Sequence, residues 1–170
     1  MSNVDLSRVY NYFHRYINLV TENDLEKAFE KHQTDLVSFL KNIPKKKWNY
    51  RYAEGKWSIK EVVQHIIDAE RVFSYRALCF ARKDQTPLPS FDENIFAANA
   101  KADERTKKDL IKELKVVQES SALLFTSFDE EQLEQPGIAS NNPTYVKGIA
   151  YILLGHALHH KKILEERYLK

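Results

Sequence analysis

At 170 residues, 43% hydrophobic and 29% charged, the chain has the size and composition of one soluble globular domain. Its 26 Lys and Arg and 24 Asp and Glu are well mixed and leave a formal net charge of +2, so no nucleic-acid footprint is implied. The single cysteine, Cys79, excludes an internal disulfide framework and suits a reducing cytoplasm. The longest apolar run, Ile149 to Leu154, is far short of the roughly 18 residues a membrane span needs, and the first residues carry no signal-peptide pattern. A cytoplasmic protein with neither nucleic acid nor membrane as partner is expected.

Only four Gly and five Pro argue for long regular elements with few tight turns. Residues 4–20 carry Val4, Leu6, Val9, Phe13, Ile17 and Val20, an aromatic-rich pattern that predicts a short helix packed across the domain or against a second subunit. His14 in this segment reads as a surface or rim residue. Thr21 or Asn23 is expected to cap the next helix, through Leu25, Phe29, Leu36 and Leu40, which stops before Pro44. His32, between Lys31 and Gln33, reads as inert on its polar side. Lys45-Lys46-Lys47 reads as a solvated loop.

Ser58-Ile59-Lys60-Glu61 is a capping box and starts a helix running to about Arg82, with Ile59, Val62, Ile66, Ala69, Phe73 and Phe80 on its apolar stripe. His65 lies beside that stripe. Residues 83–105 are too long for an ordinary bundle connection, and Asp92 is placed to cap a short helix ending near Ala100. This stretch is expected to cross one end of the bundle. Thr106 and Asp109 start a further helix through Leu110, Leu114, Val117 and Phe128. Residues 129–143 read as a polar, turn-rich link to the last helix.

In that last helix Val146, Ile149, Leu153, His156, His160 and Ile163 form one stripe. His156 and His160 are four apart, so they differ by only about 40° around the axis and can converge on one metal ion. Two core histidines hydrogen-bonded elsewhere would give the same spacing. His159 points about 100° away and is expected on a flank near Lys161 and Lys162. The HExxH pattern of zinc proteases is absent, because Ala157 stands at its glutamate position. Four long amphipathic helices imply an all-α four-helix bundle with a short N-terminal helix and a long crossover.

Trp57-Ser58…Glu61…His65 resembles the W-S-x-x-E-x-x-x-H signature of the DinB-like (DinB/YfiT) superfamily. Gly155-His156-Ala157-Leu158-His159-His160 resembles its second signature, GHxxHH. The resemblance spans roughly residues 24–170 and leaves 1–23 as an N-terminal helical extension. It implies an up-down-down-up bundle holding a divalent metal through three histidines, here His65, His156 and His160. Such ligands suit zinc or nickel first, then iron or cobalt, and leave a position open.

The family resemblance implies two chemistries on a small-molecule substrate. One is an S-transferase or isomerase dependent on a low-molecular-weight thiol, and the other is a metal-dependent hydrolase. A third reading is a stress-associated metal-binding bundle without turnover. A homodimer, as in relatives, is compatible with the aromatic N-terminal segment and crossover. Glu61 and Asp68 flank His65 and are placed either to orient an imidazole or to serve as a helix cap and a surface ion pair. Arg71 and Arg76 are placed either to hold an acidic cofactor or to form structural ion pairs. Cys79 reads as a packed residue.

Overall fold

The computed structural model describes residues 3–170. Four helices carry the architecture: α2 (Leu25–Asn42), α3 (Ile59–Ala81), α5 (Lys107–Thr126) and α7 (Val146–Ile163). Shorter pieces are α1 (His14–Ile17), α4 (Glu93–Asn99), α6 (Glu130–Leu133) and a ribbon of β1 (Pro136–Ala139) and β2 (Asn142–Tyr145). Among the described residues no helix is long and apolar enough to cross a membrane.

Three of the four long helices, α2, α3 and α5, start where a side chain can accept from their first free N–H groups, whereas α7 follows Tyr145 without a side-chain cap. Asp24 caps α2, its carboxylate accepting from Lys27 N at 2.9 Å. Thr21 and Asn23, the expected caps, sit too early in the chain to reach that turn. Thr106 caps α5 as anticipated. Ile43, extended ahead of Pro44, ends α2, because the residue before proline is disfavoured in the α region.

At α3, Ser58 Oγ accepts from Glu61 N at 3.2 Å and donates to Asp103 at 3.0 Å, while Ser58 N donates to Glu61 Oε2 at 2.6 Å. Ser58→Ala removes the cap at a fully buried position. We expect a loss of about 1 kcal/mol, read as a fall in Tm of about 3 °C by circular dichroism.

Contacts between the helices set their directions. Gln64 on α3 accepts from Arg105 just before α5 at 2.6 Å, and Ser74 meets Ser121 at 3.0 Å, so α3 and α5 run parallel. Lys107 donates to the carbonyls of Lys41 and Ile43 at 2.8 and 2.6 Å, and Gln118 meets His32 at 3.0 Å, so α2 opposes α5. Tyr151 on α7 donates to the carbonyl of Asn23 at 2.9 Å, and Lys161 lies 5.5 Å from the Phe39 ring, so α7 runs with α2. The bundle is therefore up-down-down-up.

Parallel neighbours explain the long crossover. The chain leaves α3 at one end and must enter α5 at the other, about 34 Å back along a 23-residue helix. Residues 83–105 accordingly run beside α3 instead of across an end of the bundle. Pro89 accepts from Arg76 near the C-terminal end of α3, and the Asp103 carbonyl accepts from Lys60 near its start.

Two expectations about the smaller pieces change. Residues 4–20 are not one helix but 3₁₀ turns at Leu6–Arg8 and Asn11–Phe13 followed by the single turn α1. His14 is half-buried there, its Nε2 within 3.0 Å of the carbonyls of Leu6 and Val9, which folds the segment back on itself. Residues 136–145, expected as loop, pair antiparallel around Ser140 and Asn141, both at positive φ as a tight two-residue hairpin requires. Leu88 of the crossover bridges to Ala139, adding a third extended segment. Four-residue strands containing Pro136, Gly137 and Pro143 lack the alternation by which a strand is recognised.

The apolar stripes meet in two clusters. One gathers Phe29, Phe73, Phe125, Tyr145 and the first half of α7. The other gathers Leu40, Trp48, Ile59, Leu110 and Tyr168. Between α3 and α7 the stripe carries histidines.

Candidate metal centre

His65 projects from α3, two turns after the Ser58 cap, and His156 and His160 project from successive turns of α7. Because α3 and α7 are antiparallel, the three rings face one another. His156 Nε2 lies 3.0 Å from His65 Nε2 and 3.1 Å from His160 Nε2. One ligand atom from each ring lies within 4.8 Å of the other two.

The surroundings are aromatic. The Trp57 ring lies 4.9 Å from His65, Tyr16 5.5 Å from His156, and Phe73 5.7 Å from His156. Trp57 is itself held by Tyr168, whose hydroxyl donates to the Trp57 carbonyl at 2.7 Å. Tyr168 reaches that carbonyl from the π turn Leu164–Tyr168 that ends α7.

Burial pushes the His65 imidazole down to about 4 and holds His156 and His160 well below the usual histidine value, with the neighbouring rings adding to the effect on the last two. All three are therefore neutral at pH 7. A neutral Nε2 carries one proton or one lone pair, so His156 Nε2 can satisfy only one of the two nitrogens facing it. Among the described residues the hydrogen bonds of these rings run only to one another. The mismatch disappears if all three lone pairs point at a cation. At a metal–nitrogen bond of about 2.05 Å, tetrahedral ligands stand about 3.3 Å apart, close to the spacing observed. The donor set thus fits a divalent ion of borderline softness.

The depressed basicity sets the acid stability of the metal-free protein. Above pH 6.5 the His65 ring is neutral in both the folded and the unfolded chain. Between 6.5 and about 4 the unfolded chain takes up a proton that the folded protein refuses, so stability falls as pH falls. His65 alone accounts for about 3 kcal/mol across that window. Urea midpoints of chelator-treated protein at pH 7.5 and 5.0 should show this slope, and His65→Ala should make it shallower, leaving the share of His156 and His160.

The centre opens into a cavity of about 370 Å³. Its walls come from four parts of the chain: Tyr12, Phe13 and Tyr16 at the N-terminus, Trp57 before α3, Phe91 and Glu93 from the crossover, and Ser140 from the hairpin. Sequence periodicity pointed to none of these except Trp57, which stands in a motif. His159 stays outside the cluster of three but faces this cavity instead of lying on an outer flank. Its ring lies 5.2 Å from both Tyr16 and His160.

The remaining candidates resolve differently. Glu61 completes the capping box and pairs with Arg51, and Asp68 accepts from Gln64 at 2.9 Å, so neither orients an imidazole. Arg71 pairs with Glu113 at 2.7 Å. Arg76 is buried, has no ion pair among the described residues, and lines the cavity. Cys79 is half-buried on the far part of α3.

His32 is buried, contrary to its reading as a polar-side residue. Its Nε2 lies 3.4 Å from Glu70 and 3.0 Å from Gln118 Nε2. The signal was present, since His32 is three residues after Phe29 and four before Leu36 on the apolar stripe. The bonds of this second polar cluster do not reach the three-histidine centre.

A family model described as the DinB superfamily matches residues 28–164. The chain belongs to the DinB superfamily. Within it, this DinB protein is 27% identical to an Oceanobacillus iheyensis protein named "Putative metal-dependent hydrolase", over 79% of this chain and 78% of that protein. It also superposes on YfiT from Bacillus subtilis with a TM-score of 0.75 at 12% identity, over 97% of this chain and 91% of that one. YfiT is described as "a probable metal-dependent hydrolase with an unusual four-helix bundle topology". At 12% identity the likeness is one of fold alone.

Proposed function

We propose that this DinB protein is an enzyme dependent on a divalent metal, held by His65, His156 and His160, and that it acts on a small molecule in the adjoining cavity. The observation that carries the reading is the convergence of three neutral imidazoles, two buried and one half-buried, whose Nε2 atoms have, among the described residues, no hydrogen-bond partner but one another. The names of the O. iheyensis and B. subtilis proteins support the metal dependence. Bound there by three ligands, zinc or nickel would supply Lewis acidity at its open position.

The reaction we favour is transfer of a low-molecular-weight thiol to an electrophile. A thiol is acidic enough for a metal alone to ionise, whereas water activation gains from a carboxylate base beside the metal. Glu61 and Asp68, the carboxylates nearest His65 along α3, are committed to Arg51 and Gln64, and Glu93, the carboxylate in the cavity wall, is exposed on the crossover. Trp57 and Tyr16 keep the centre shielded, and Phe73 packs on His156 from the inner side. Hydrolysis is the second reading, favoured by the relatives' names.

One assay separates the two. Zinc- or nickel-loaded protein would be given 1-chloro-2,4-dinitrobenzene with cysteine or glutathione, and in parallel 4-nitrophenyl acetate without thiol. The transferase reading expects thiol-dependent chloride displacement above the uncatalysed rate and no ester cleavage. Ester cleavage alone would install the hydrolase. Metal uptake with neither reaction would leave a metal-binding bundle without turnover on these substrates.

A further inference from the structure

Arg76 is a buried cation in the cavity wall that the metal chemistry leaves without a task. It lies on α3 one turn beyond Phe73, and its residue is 5% exposed. One guanidinium nitrogen donates to the Pro89 carbonyl at 2.8 Å and to Ser140 Oγ at 2.9 Å. Those two bonds tie the crossover and the hairpin to α3 and fix the plane of the guanidinium. Among the described residues no carboxylate pairs with it, and burial alone acts on its acidity. Glu93 lines the same cavity but is exposed and unpaired with it.

A buried guanidinium without a counter-ion is costly unless something anionic completes it. Its remaining N–H donors are not walled off, since Arg76 borders the same 370 Å³ cavity as the three histidines. One fixed cation matches one negative charge. A planar fork with a free edge matches the two oxygens of a carboxylate, while a phosphate dianion calls for more positive charge than one arginine supplies. Phe13, Phe73 and Phe91 line the same cavity, and the Phe91 ring lies 5.9 Å from the guanidinium. From His65 to Arg76 the helix rises about 16 Å, and an arginine side chain leans back toward the helix start, which leaves a span of roughly 10 Å.

We propose that Arg76, fixed by Pro89 and Ser140, is a carboxylate-binding residue, and that the cavity takes a small organic acid with an apolar or aromatic body whose other end meets the three-histidine centre. The second half of this statement rests on the proposed metal-enzyme reading. The first half does not, because the arginine site is built from α3, the crossover and the hairpin.

The test compares acids with their amides: benzoate against benzamide, and phenylacetate against phenylacetamide. Binding is measured by calorimetry at pH 7.5 in chelator-treated and zinc-loaded protein. Each acid should bind at least ten-fold more tightly than its amide, with and without zinc. Arg76→Gln should remove that preference, and Arg76→Lys should restore part of it. Equal binding of acids and amides, or a preference that survives in Arg76→Gln, would overturn the inference. So would a preference that appears only with zinc, since the carboxylate would then be on the metal. The wild-type comparison needs no variant, so a misfolded Arg76→Gln protein leaves the test intact. Failure to bind zinc with the acid preference intact sinks the metal reading alone. Zinc binding without the preference sinks the arginine site alone.

Discussion

His156→Ala should reduce metal content from near one equivalent to less than a tenth, and turnover with it by at least about a hundredfold, which corresponds to some 2.7 kcal/mol of lost barrier reduction. Of the three rings, His156 is the one whose Nε2 faces both of the others. Removing it leaves only two ligands, His65 on α3 and His160 on α7, whose rings lie 4.8 Å apart. A metal held at a thousand times its Kd stabilises the fold by about 4 kcal/mol. In a domain of this size that amounts to about 10 °C in Tm, and the increment should vanish in the variant. The metal-free variant should unfold within about 2 kcal/mol of the metal-free parent, because the cavity left by the ring is offset by relief of its unsatisfied nitrogen. Elemental analysis and calorimetry read both quantities. A structural core histidine would give the opposite pattern, with a large loss of metal-free stability and unchanged metal content.

Gly155→Ala should destabilise the fold by about 3 kcal/mol, although alanine is the better helix former by about 1 kcal/mol. A methyl group at Gly155 would stand 2.0 Å from the carbonyl oxygen of Tyr16 and 2.4 Å from its carbonyl carbon. These are backbone atoms and cannot rotate away. The α1 turn packs directly on α7 at this point, and the Tyr16 ring rests against His156 and His159. To accept the methyl, α1 must lift off α7 and take one wall of the cavity with it. A fall in Tm of about 9 °C is expected, together with greater proteolytic cleavage between residues 5 and 20. A neutral or stabilising result would mean that the N-terminal segment does not lie against Gly155. The same close approach explains why the residue before His156 is glycine in the middle of a helix.

Much of the scaffold was legible because helix information is local. The stripe Val146, Ile149, Leu153, His156, His160 announces both the helix and the shared face of two histidines, since a 3.6-residue period is a property of the chain alone. Ser58 with Glu61, Thr106 with Asp109, and Asp92 are caps that their own next turn satisfies. The errors fell where the competing partner is remote. His32 has polar neighbours in Lys31 and Gln33, whereas the groups that accommodate it, Glu70 and Gln118, come from α3 and α5. The ribbon at 136–145 was missed because its strands are stabilised by each other and by Leu88, some fifty residues earlier in the chain.

The amino-acid sequence by itself determined four amphipathic helices, the caps of α3 and α5, the i, i+4 pairing of His156 and His160, and, through two motifs, the superfamily. Only the tertiary structure decided that His65 meets that pair nitrogen to nitrogen, that Arg76 is buried without an acid, and that the crossover runs along α3 to form a wall of the cavity. The physical reason is that periodicity states which face of a helix is buried, while the direction and depth of the facing helix are set by packing. Two parallel central helices, α3 and α5, force the long return of residues 83–105. That return, together with the N-terminal turns and the hairpin, encloses the space in front of the three histidines.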